Sequence, residues 1–184
     1  MEEYIENFRN GIFALHTRRF GTVAELMIKK IYYLNDSDNL AYDGKKDNLK
    51  IEIKFSRVLK KNEEKINEKN VIDQCIKALS EKRQLNSDDI DQFDFDCNIQ
   101  QVKNKEFDIL YYGLFFKDKI EIFYITPELI PKLNYFSGKQ HRGNVGEGQF
   151  HVKPENIEFH RENYLIKTLD YLELYNLFKG VNNL

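Results

Sequence analysis

An alternating stretch at residues 49–55 is the feature that most constrains what this chain can fold into. Its apolar residues are Leu49, Ile51, Ile53 and Phe55, and its polar residues are Lys50, Glu52 and Lys54. Because successive side chains of a β-strand point to opposite faces, this alternation predicts a strand with one apolar, buried face. A second, short strand is predicted at residues 39–43, ending at Gly44. Together the two strands predict a β-hairpin.

The remaining pattern predicts one domain, residues 1–184, without repeats or linkers. Further strands are predicted at residues 97–103, 107–116 and 119–125, and helices at residues 2–15, 22–34, 71–83, from Thr126 onwards, and 162–179. Thr22 and Glu25 have the spacing of a capping box, and Thr126 followed by Pro127 is a typical helix start. This order predicts an α/β or α+β domain with a central mixed β-sheet flanked by helices.

Composition limits the classes of function and the compartment. The net charge of −2 argues against indiscriminate coating of nucleic acid, but it is compatible with a protein that binds DNA in a cleft. The sequence has no apolar run long enough to span a bilayer, and its acidic N-terminus does not resemble a signal peptide. Cys75 and Cys97 lack metal-ligand spacing, and their apolar neighbours predict buried free thiols. We therefore expect a cytoplasmic protein that is not bound to a membrane.

Glu52 and Lys54 are the strongest candidates for chemistry, because residues two apart on a strand point to the same side. Carboxylate oxygens are ligands that Mg²⁺ prefers, and a nearby lysine suits an attacking water or a phosphate. Asp43, at the end of the neighbouring hairpin strand, would close on the same ion. The alternative interpretation is that Glu52 and Lys54 are ordinary charges on a solvated face. Two other acid-x-lysine triplets, at residues 43–45 and 63–65, lack the alternating strand.

Asp43, followed nine positions later by Glu52-Ile53-Lys54, resembles the signature of the PD-(D/E)xK nuclease superfamily, which includes type II restriction endonucleases. Glu25, four residues after Gly21, is similar to the glutamate of that family's first helix. Residues 107–110 resemble the start of the strand that follows the active-site hairpin. The resemblance covers about residues 20–125 and implies a restriction-endonuclease-like catalytic core. It implies that Asp43, Glu52 and Glu25 bind Mg²⁺ and that Lys54 is catalytic.

Several of these residues also have simpler interpretations. Glu25 would be explained completely by the capping box, and Asp43 by a turn before glycine. The residue before Asp43 is Tyr42 rather than the proline of the signature, which many members of the family also lack. The spacing of nine is at the short end, and Asp47 is a weaker alternative for the first carboxylate. Gln74, on the helix after the motif, is similar to a glutamine that some subfamilies place near the site. It would otherwise be a solvent-facing helix residue.

A glycine-rich, polar segment at residues 137–148 is the predicted DNA-contact loop, within a recognition and C-terminal region at about residues 126–184. Its side chains suit phosphates and base edges, and the alternative is a plain surface loop. The candidate DNA-binding residues are Lys139, Gln140, His141, Arg142, Asn144 and Gln149. The spacings between His141, His151 and His160 fit no compact zinc site. No phosphate-binding Gly-x-x-x-x-Gly-Lys motif is present, so no nucleotide cofactor is expected.

The sequence thus predicts a Mg²⁺-dependent endonuclease acting on double-stranded DNA, of the type II restriction kind. A homodimer is expected, because two strands of a two-fold symmetric target must be cut by one site per subunit. Within the same fold the alternatives are a repair nuclease and a Holliday-junction resolvase. A non-catalytic module that binds nucleic acid or protein is the alternative from another class.

Overall fold

A computed structural model describes residues 2–62, 64–139 and 145–180. The described helices are α1 Glu2–Ala14, α2 Thr17–Tyr32, α3 Val71–Lys77, α4 Ser80–Arg83, α5 Ile157–Tyr164 and α6 Tyr171–Lys179, with a 3₁₀ turn at Ile130–Lys132. The described strands are β1 Asn35–Asp36, β2 Gly44–Lys46, β3 Leu49–Arg57, β4 Cys97–Val102, β5 Ile109–Phe115, β6 Ile120–Ile125, β7 Phe136–Lys139, β8 Val145–Val152 and β9 Leu165–Leu169.

The strands form a central sheet and a smaller second sheet. The central sheet has the order β1-β2-β3-β5-β6-β9. It is mixed, because β3 and β5 run parallel while the other neighbours are antiparallel. The second sheet has the order β4-β8-β7 and is antiparallel. The predicted α+β domain around a central mixed sheet is confirmed.

Each face of the central sheet is covered by a different kind of layer. Helices α1, α2 and α6 pack on one face, where Ile51 and Ile53 of β3 meet Met27 and Ile28 of α2 in one apolar cluster. The second sheet and α5 pack on the other face, in a cluster that includes Phe150 of β8. The two clusters together supply the burial that stabilises the domain.

Strand β3 is covered on both faces, so the expectation of a single buried face is wrong. Ile51 is 1% exposed, and Glu52, on the opposite face, is only 7% exposed. The reason is that the second sheet lies over the polar side of β3, as contacts between β3 and β4 show. Glu52 is therefore a buried carboxyl group rather than a solvated surface charge.

Near the N-terminus the structure corrects two boundaries. The predicted strand at residues 39–43 is wrong, because β2 begins at Gly44, where that strand was expected to end. Helix α2 begins at Thr17 rather than Thr22. The Thr22 hydroxyl donates to the carbonyl of Arg18 at 3.2 Å, one turn back in the same helix. Thr22 is not a cap, so the capping box with Glu25 is absent.

Near the C-terminus two predicted helices are wrong. Thr126 and Pro127 start no α-helix, and only the 3₁₀ turn at Ile130–Lys132 follows. The helix expected at residues 162–179 is interrupted by β9, because this segment pairs with the otherwise open edge of β6. The capping box lies at the start of α6, where Asp170 and Glu173 bond each other's backbone N–H groups.

Helix α3 reverses the expected orientation. The apolar residues predicted to face the core are exposed, Ile72 by 76% and Ile76 by 52%, whereas Gln74 is 3% exposed. Gln74 faces inwards because Asn62 donates to its amide oxygen and its amide nitrogen donates to Glu64. Cys75 on this helix is also exposed, so the prediction that both thiols are buried holds only for Cys97. Both cysteines are free.

The helices are too short or too polar to cross a membrane, within the part of the chain that the structure describes.

Gly113 of β5 occupies a position where no side chain fits, and its replacement gives a clear stability prediction. A Cβ atom there would lie 2.1 Å from the Phe55 ring and 2.4 Å from the carbonyl oxygen of Glu121. We expect Gly113→Ala to lower the free energy of unfolding by about 3 kcal/mol, measured by urea denaturation. Gly21→Ala is the control, because its Cβ meets nothing within 4 Å. Equal stability of the two variants would contradict the packing described for Phe55.

His160 predicts a loss of stability in mild acid. The residue is fully buried, its Nδ1 lies 2.7 Å from the Tyr112 hydroxyl, and it packs against Phe150. Its Nε2 lies 3.4 Å from the amide nitrogen of Asn156. Burial lowers the pKa of His160 to about 4 from its usual 6.5. The unfolded chain therefore takes up a proton below about pH 6.5 that the folded chain takes up only near pH 4.

Between pH 7 and pH 4 we expect the wild type to lose up to about 3 kcal/mol of stability relative to His160→Gln. The measurement is urea denaturation of both proteins at pH 7, 5.5 and 4.5. A difference between the two proteins that does not change with pH would show that His160 does not resist protonation in the folded state.

Candidate functional site

Asp43 is fixed beside β3 by two hydrogen bonds that flank Glu52. The backbone N–H of Asp43 donates to the carbonyl of Ile51 at 2.9 Å. The Asp43 Oδ2 atom accepts from the backbone N–H of Ile53 at 2.8 Å. Because both contacts are made to the residues on either side of Glu52, the Asp43 carboxylate is held next to the Glu52 side chain. The alternative first carboxylate, Asp47, lies exposed in the turn between β2 and β3.

Lys54 joins the two carboxylates. Its Nζ atom forms an ion pair with Glu52 Oε1 and lies 3.7 Å from Asp43 Oδ2. In the side chains of Asp43 and Lys54 about a quarter of the surface is exposed, whereas Glu52 lies deeper. The structure thus brings together three of the residues that the sequence predicted, in the arrangement that alternation along β3 required.

Burial and charge act in opposite directions on this cluster. The pKa of Glu52 is raised to about 7, chiefly by burial; Lys54 opposes the shift, and Asp43 and Glu106 contribute to it. Burial also works against the charge of Lys54, but the carboxylates of Glu52, Asp43 and Glu25 outweigh it and raise the Lys54 pKa above its usual value. Lys54 is therefore an ammonium group at neutral pH. The positive charge near Glu52 is too small to offset its burial, so the Glu52 carboxyl group is only partly ionised at that pH.

One oxygen atom of the Glu52 carboxylate is available to bind a cation. Its Oε2 atom is buried and has no hydrogen-bond partner among the described residues, an arrangement that is rare in folded proteins. Three His, Cys, Asp or Glu side chains do not converge on a single point anywhere in the described ranges. Two carboxylates, Asp43 and Glu52, are nevertheless a suitable donor set for Mg²⁺, which usually takes one or two carboxylates and keeps several waters.

Glu25 lies at the margin of this cluster. Burial raises the pKa of Glu25, and the negative charge of Asp43 raises it further, while Lys29 and Lys54 oppose the shift. Glu25 is thus close enough to interact electrostatically with the site, although it does not line the pocket described next. It belongs to α2, which covers the opposite face of the sheet, and its interpretation as a helix cap is wrong.

Asp43, Glu52 and Lys54 open into a polar pocket of about 190 Å³ that we call the carboxylate pocket. Its far wall comes from the second sheet and from the loop after β4. The residues of that wall, which sequence reasoning missed, are Gln101, Lys103, Glu106 and Glu147. No spacing in the sequence connects them to β3, since they reach the pocket through pairing of β4 with β8.

Gln101 has an unusual backbone within this wall. Its φ angle is +58°, in the left-handed region that residues other than glycine rarely adopt, at an irregularity in the pairing of β4 with β8. Such backbone strain is held in place by surrounding structure and is concentrated at functional sites. The irregularity places Gln101 on the wall of the carboxylate pocket.

The predicted DNA-contact residues are only partly covered by the structure. Gln140, His141, Arg142 and Asn144 lie outside the described residues. Lys139 is exposed at the end of β7, and Gln149 on β8 accepts a hydrogen bond from Asn98. The segment predicted as a loop at residues 137–148 is largely a hairpin, because its two ends belong to β7 and β8.

The remaining candidates lie elsewhere. Gln74 is neither at the pocket nor exposed to solvent, since it bonds Asn62 and Glu64. His151 contacts Asp96 at 2.6 Å, and His160 lies in the core beside Tyr112. Comparison with protein-family models, with curated proteins and with solved structures finds no match.

Proposed function

We propose that this protein is a Mg²⁺-dependent endonuclease that hydrolyses phosphodiester bonds of double-stranded DNA, of the type II restriction kind. One observation carries the proposal. The buried Glu52 carboxylate, with an oxygen that has no hydrogen-bond partner among the described residues, stands beside Asp43 and the charged Lys54 in a polar pocket. An inert surface would not bury a carboxyl group in this state, because the burial of a charge that is only partly compensated is costly.

Asp43 and Glu52 would hold the metal ion, with Glu25 adding negative charge from α2. Mg²⁺ bound there would polarise the phosphate and increase the acidity of a water molecule. Both carboxylates are fixed before any ligand arrives, Glu52 by its strand and Asp43 by its two backbone contacts. Such preorganisation avoids reorganisation of the site during the reaction.

Lys54 would act as a hydrogen-bond donor. Because its pKa is raised, it is fully protonated at neutral pH and is better suited to orient water and to stabilise charge on the phosphate oxygens than to accept a proton. Water attacks phosphorus in line with the bond to the 3′ oxygen, that bond breaks, and the proton lost by water balances the one gained by the leaving oxygen. The resemblance to PD-(D/E)xK nucleases implies 5′-phosphate and 3′-hydroxyl ends.

The β7–β8 hairpin is the proposed DNA-reading element. Lys139 is exposed there, and Gln149 lies on the strand that also carries Glu147 of the pocket wall. We propose that these residues and the segment between the two strands contact the DNA near the scissile phosphate. A homodimer with one site per strand follows from the two-fold symmetry of a duplex target. The two free thiols fit a reducing cytoplasm.

The direct test is incubation of the purified protein with phage DNA in Mg²⁺, beside an EDTA control. Discrete fragments that disappear in EDTA would support a site-specific endonuclease, and a metal-dependent smear would support a less specific repair nuclease of the same chemistry. DNA that stays intact, both as a duplex and as branched substrates, would rule out the nuclease and favour a non-catalytic binding module.

A further inference from the structure

A second cavity adjoins the carboxylate pocket, and we call it the hairpin cavity. It has a volume of about 500 Å³ and lies between residues 102–106 and the β7–β8 hairpin. Lys103, Glu106 and Glu147 line both cavities, so the two spaces are neighbours across a shared wall. The volume is within the range of sites that bind small organic molecules. A ligand in the hairpin cavity would therefore lie next to the carboxylate pocket.

The hairpin cavity is lined by an aromatic ring and by glycines. Phe136 is half-buried, with its ring packed against the apolar core and lining the cavity. Gly138, Gly146 and Gly148 line the same wall, where Cβ atoms at the first two would meet nothing within 4 Å. A Cβ atom at Gly148 would lie 3.0 Å from the Phe136 ring, so glycine lets that ring lie close to β8.

The polar groups of the hairpin cavity suit a nucleotide. Asn104 lines it, and the Asn104 Oδ1 atom is buried without a hydrogen-bond partner in the described ranges. A buried amide in this state can receive a donor group of a base. Lys103 lies between Glu106, at 3.5 Å, and Glu147, at 3.9 Å, while Lys105 is more exposed. The two carboxylates offset the charge of Lys103, and Lys103 and Lys105 are the groups of this wall that could contact a phosphate.

We infer that the hairpin cavity binds one unstacked nucleotide, with its base against Phe136 and its phosphate towards Lys103 and the carboxylate pocket. This inference rests on the proposed function, and it adds that one base of the double-stranded substrate is unpaired or extruded near the cut. Aromatic stacking tolerates any base, so the cavity adds affinity without fixing a sequence. Enzymes that hold such a base select DNA in which unstacking is easy, such as mismatched or single-stranded DNA.

The test is an NMR titration of the full chain with deoxyadenosine 5′-monophosphate in EDTA, where no cleavage occurs. The backbone amides of Asn104 and Gly148 report on the hairpin cavity. We expect saturable shifts at both amides, with affinity about tenfold lower in Phe136→Leu and unchanged in Phe159→Leu, the control on the exposed side of α5. Gly138→Leu, at a cavity-lining position where a Cβ atom meets nothing within 4 Å, should also weaken binding and guards against misfolding of Phe136→Leu.

Two further arms decide what the ligand is. Inorganic phosphate should not shift Gly148, which lies beside the Phe136 ring, and a response of Gly148 to phosphate equal to its response to the nucleotide would overturn the base-binding role. A duplex with one mismatch should displace the nucleotide at lower concentration than a matched duplex. Failure of the mismatched duplex to displace it would overturn the DNA substrate and leave a free nucleotide as the ligand.

No saturable shift with the nucleotide would overturn the inference even if the protein cleaves DNA. Binding without cleavage would instead count against the nuclease alone.

Discussion

Replacement of Lys54 by methionine is expected to lower Mg²⁺-dependent DNA cleavage by about 10³-fold while the protein stays folded. The ammonium group of Lys54 is the only cation paired with Glu52 among the described contacts, and it also approaches Asp43. Methionine keeps most of the side-chain volume but can neither donate a hydrogen bond nor carry charge. The measurement is the initial rate of cleavage under saturating Mg²⁺, with circular dichroism to verify the fold.

Lys50→Met is the matched control for this variant. Lys50 lies on the same strand and, by alternation, on the same side, but it is exposed and does not line the carboxylate pocket. Its contact with Asp108 is made by the backbone N–H and survives the substitution. We expect Lys50→Met to cleave at close to the wild-type rate. A rate for Lys54→Met that is as high as that of Lys50→Met and of the wild type would remove Lys54 from the chemistry.

Glu52→Gln is the second variant with a large expected effect. It should lower the rate of cleavage strongly while it changes the free energy of unfolding little. We expect cleavage to fall by about 10³-fold, because an amide oxygen is a poor substitute for a carboxylate in holding Mg²⁺. The free energy of unfolding at pH 8 should stay within about 1 kcal/mol of the wild-type value, since the buried carboxylate is stabilised by few partners in the folded protein. The measurements are the cleavage rate, Mn²⁺ binding by electron paramagnetic resonance, and urea denaturation.

Glu121→Gln is the matched control, because it should lower the free energy of unfolding while it changes the rate of cleavage little. Glu121 is also buried in the central sheet, but its carboxylate accepts hydrogen bonds from two nitrogens of the Arg161 guanidinium and also pairs with Lys119. Its neutralisation leaves a partly buried arginine without its main partner and should reduce stability by about 3 kcal/mol with little effect on cleavage. If Glu52→Gln were the less stable variant, with activity retained, Glu52 would be a structural residue and the proposed site would be wrong.

Local pattern was sufficient to place the centre of the site. The orientation of Glu52 relative to Lys54 depends only on the two-residue period of a strand, and the ion pair between their side chains shows that both lie on one face of β3. Asp43 was predicted as the end of a strand, whereas it lies just before β2 and reaches β3 through its side chain. Asp43 lies beside Glu52 although the predicted element was wrong, because a short turn before a hairpin limits how far Asp43 can be from Glu52.

Long-range pairing was the part that the sequence could not provide. The far wall of the carboxylate pocket depends on the pairing of β4 with β8. These two strands are far apart in the sequence, and the central strands β5 and β6 lie between them. Likewise, the segment Leu165–Leu169 becomes a strand because β6 offers an open edge, although its apolar spacing also fits a helix. In helix α3 the apolar spacing alone would predict that the isoleucines are buried. Gln74 is buried instead, because it forms hydrogen bonds with Asn62 and Glu64.

The parallel pairing of β3 with β5 also has a consequence for how the protein is made. Lys50 contacts Asp108, 58 residues further along the chain. At ribosomal rates, about 3 to 12 seconds pass between the synthesis of these two residues. During that interval β3, including Glu52, has β2 as a neighbour but lacks β5. Glu147 of the pocket wall is made later still. The pocket is thus assembled late in biosynthesis, and pairings this distant in sequence are characteristic of slow folding.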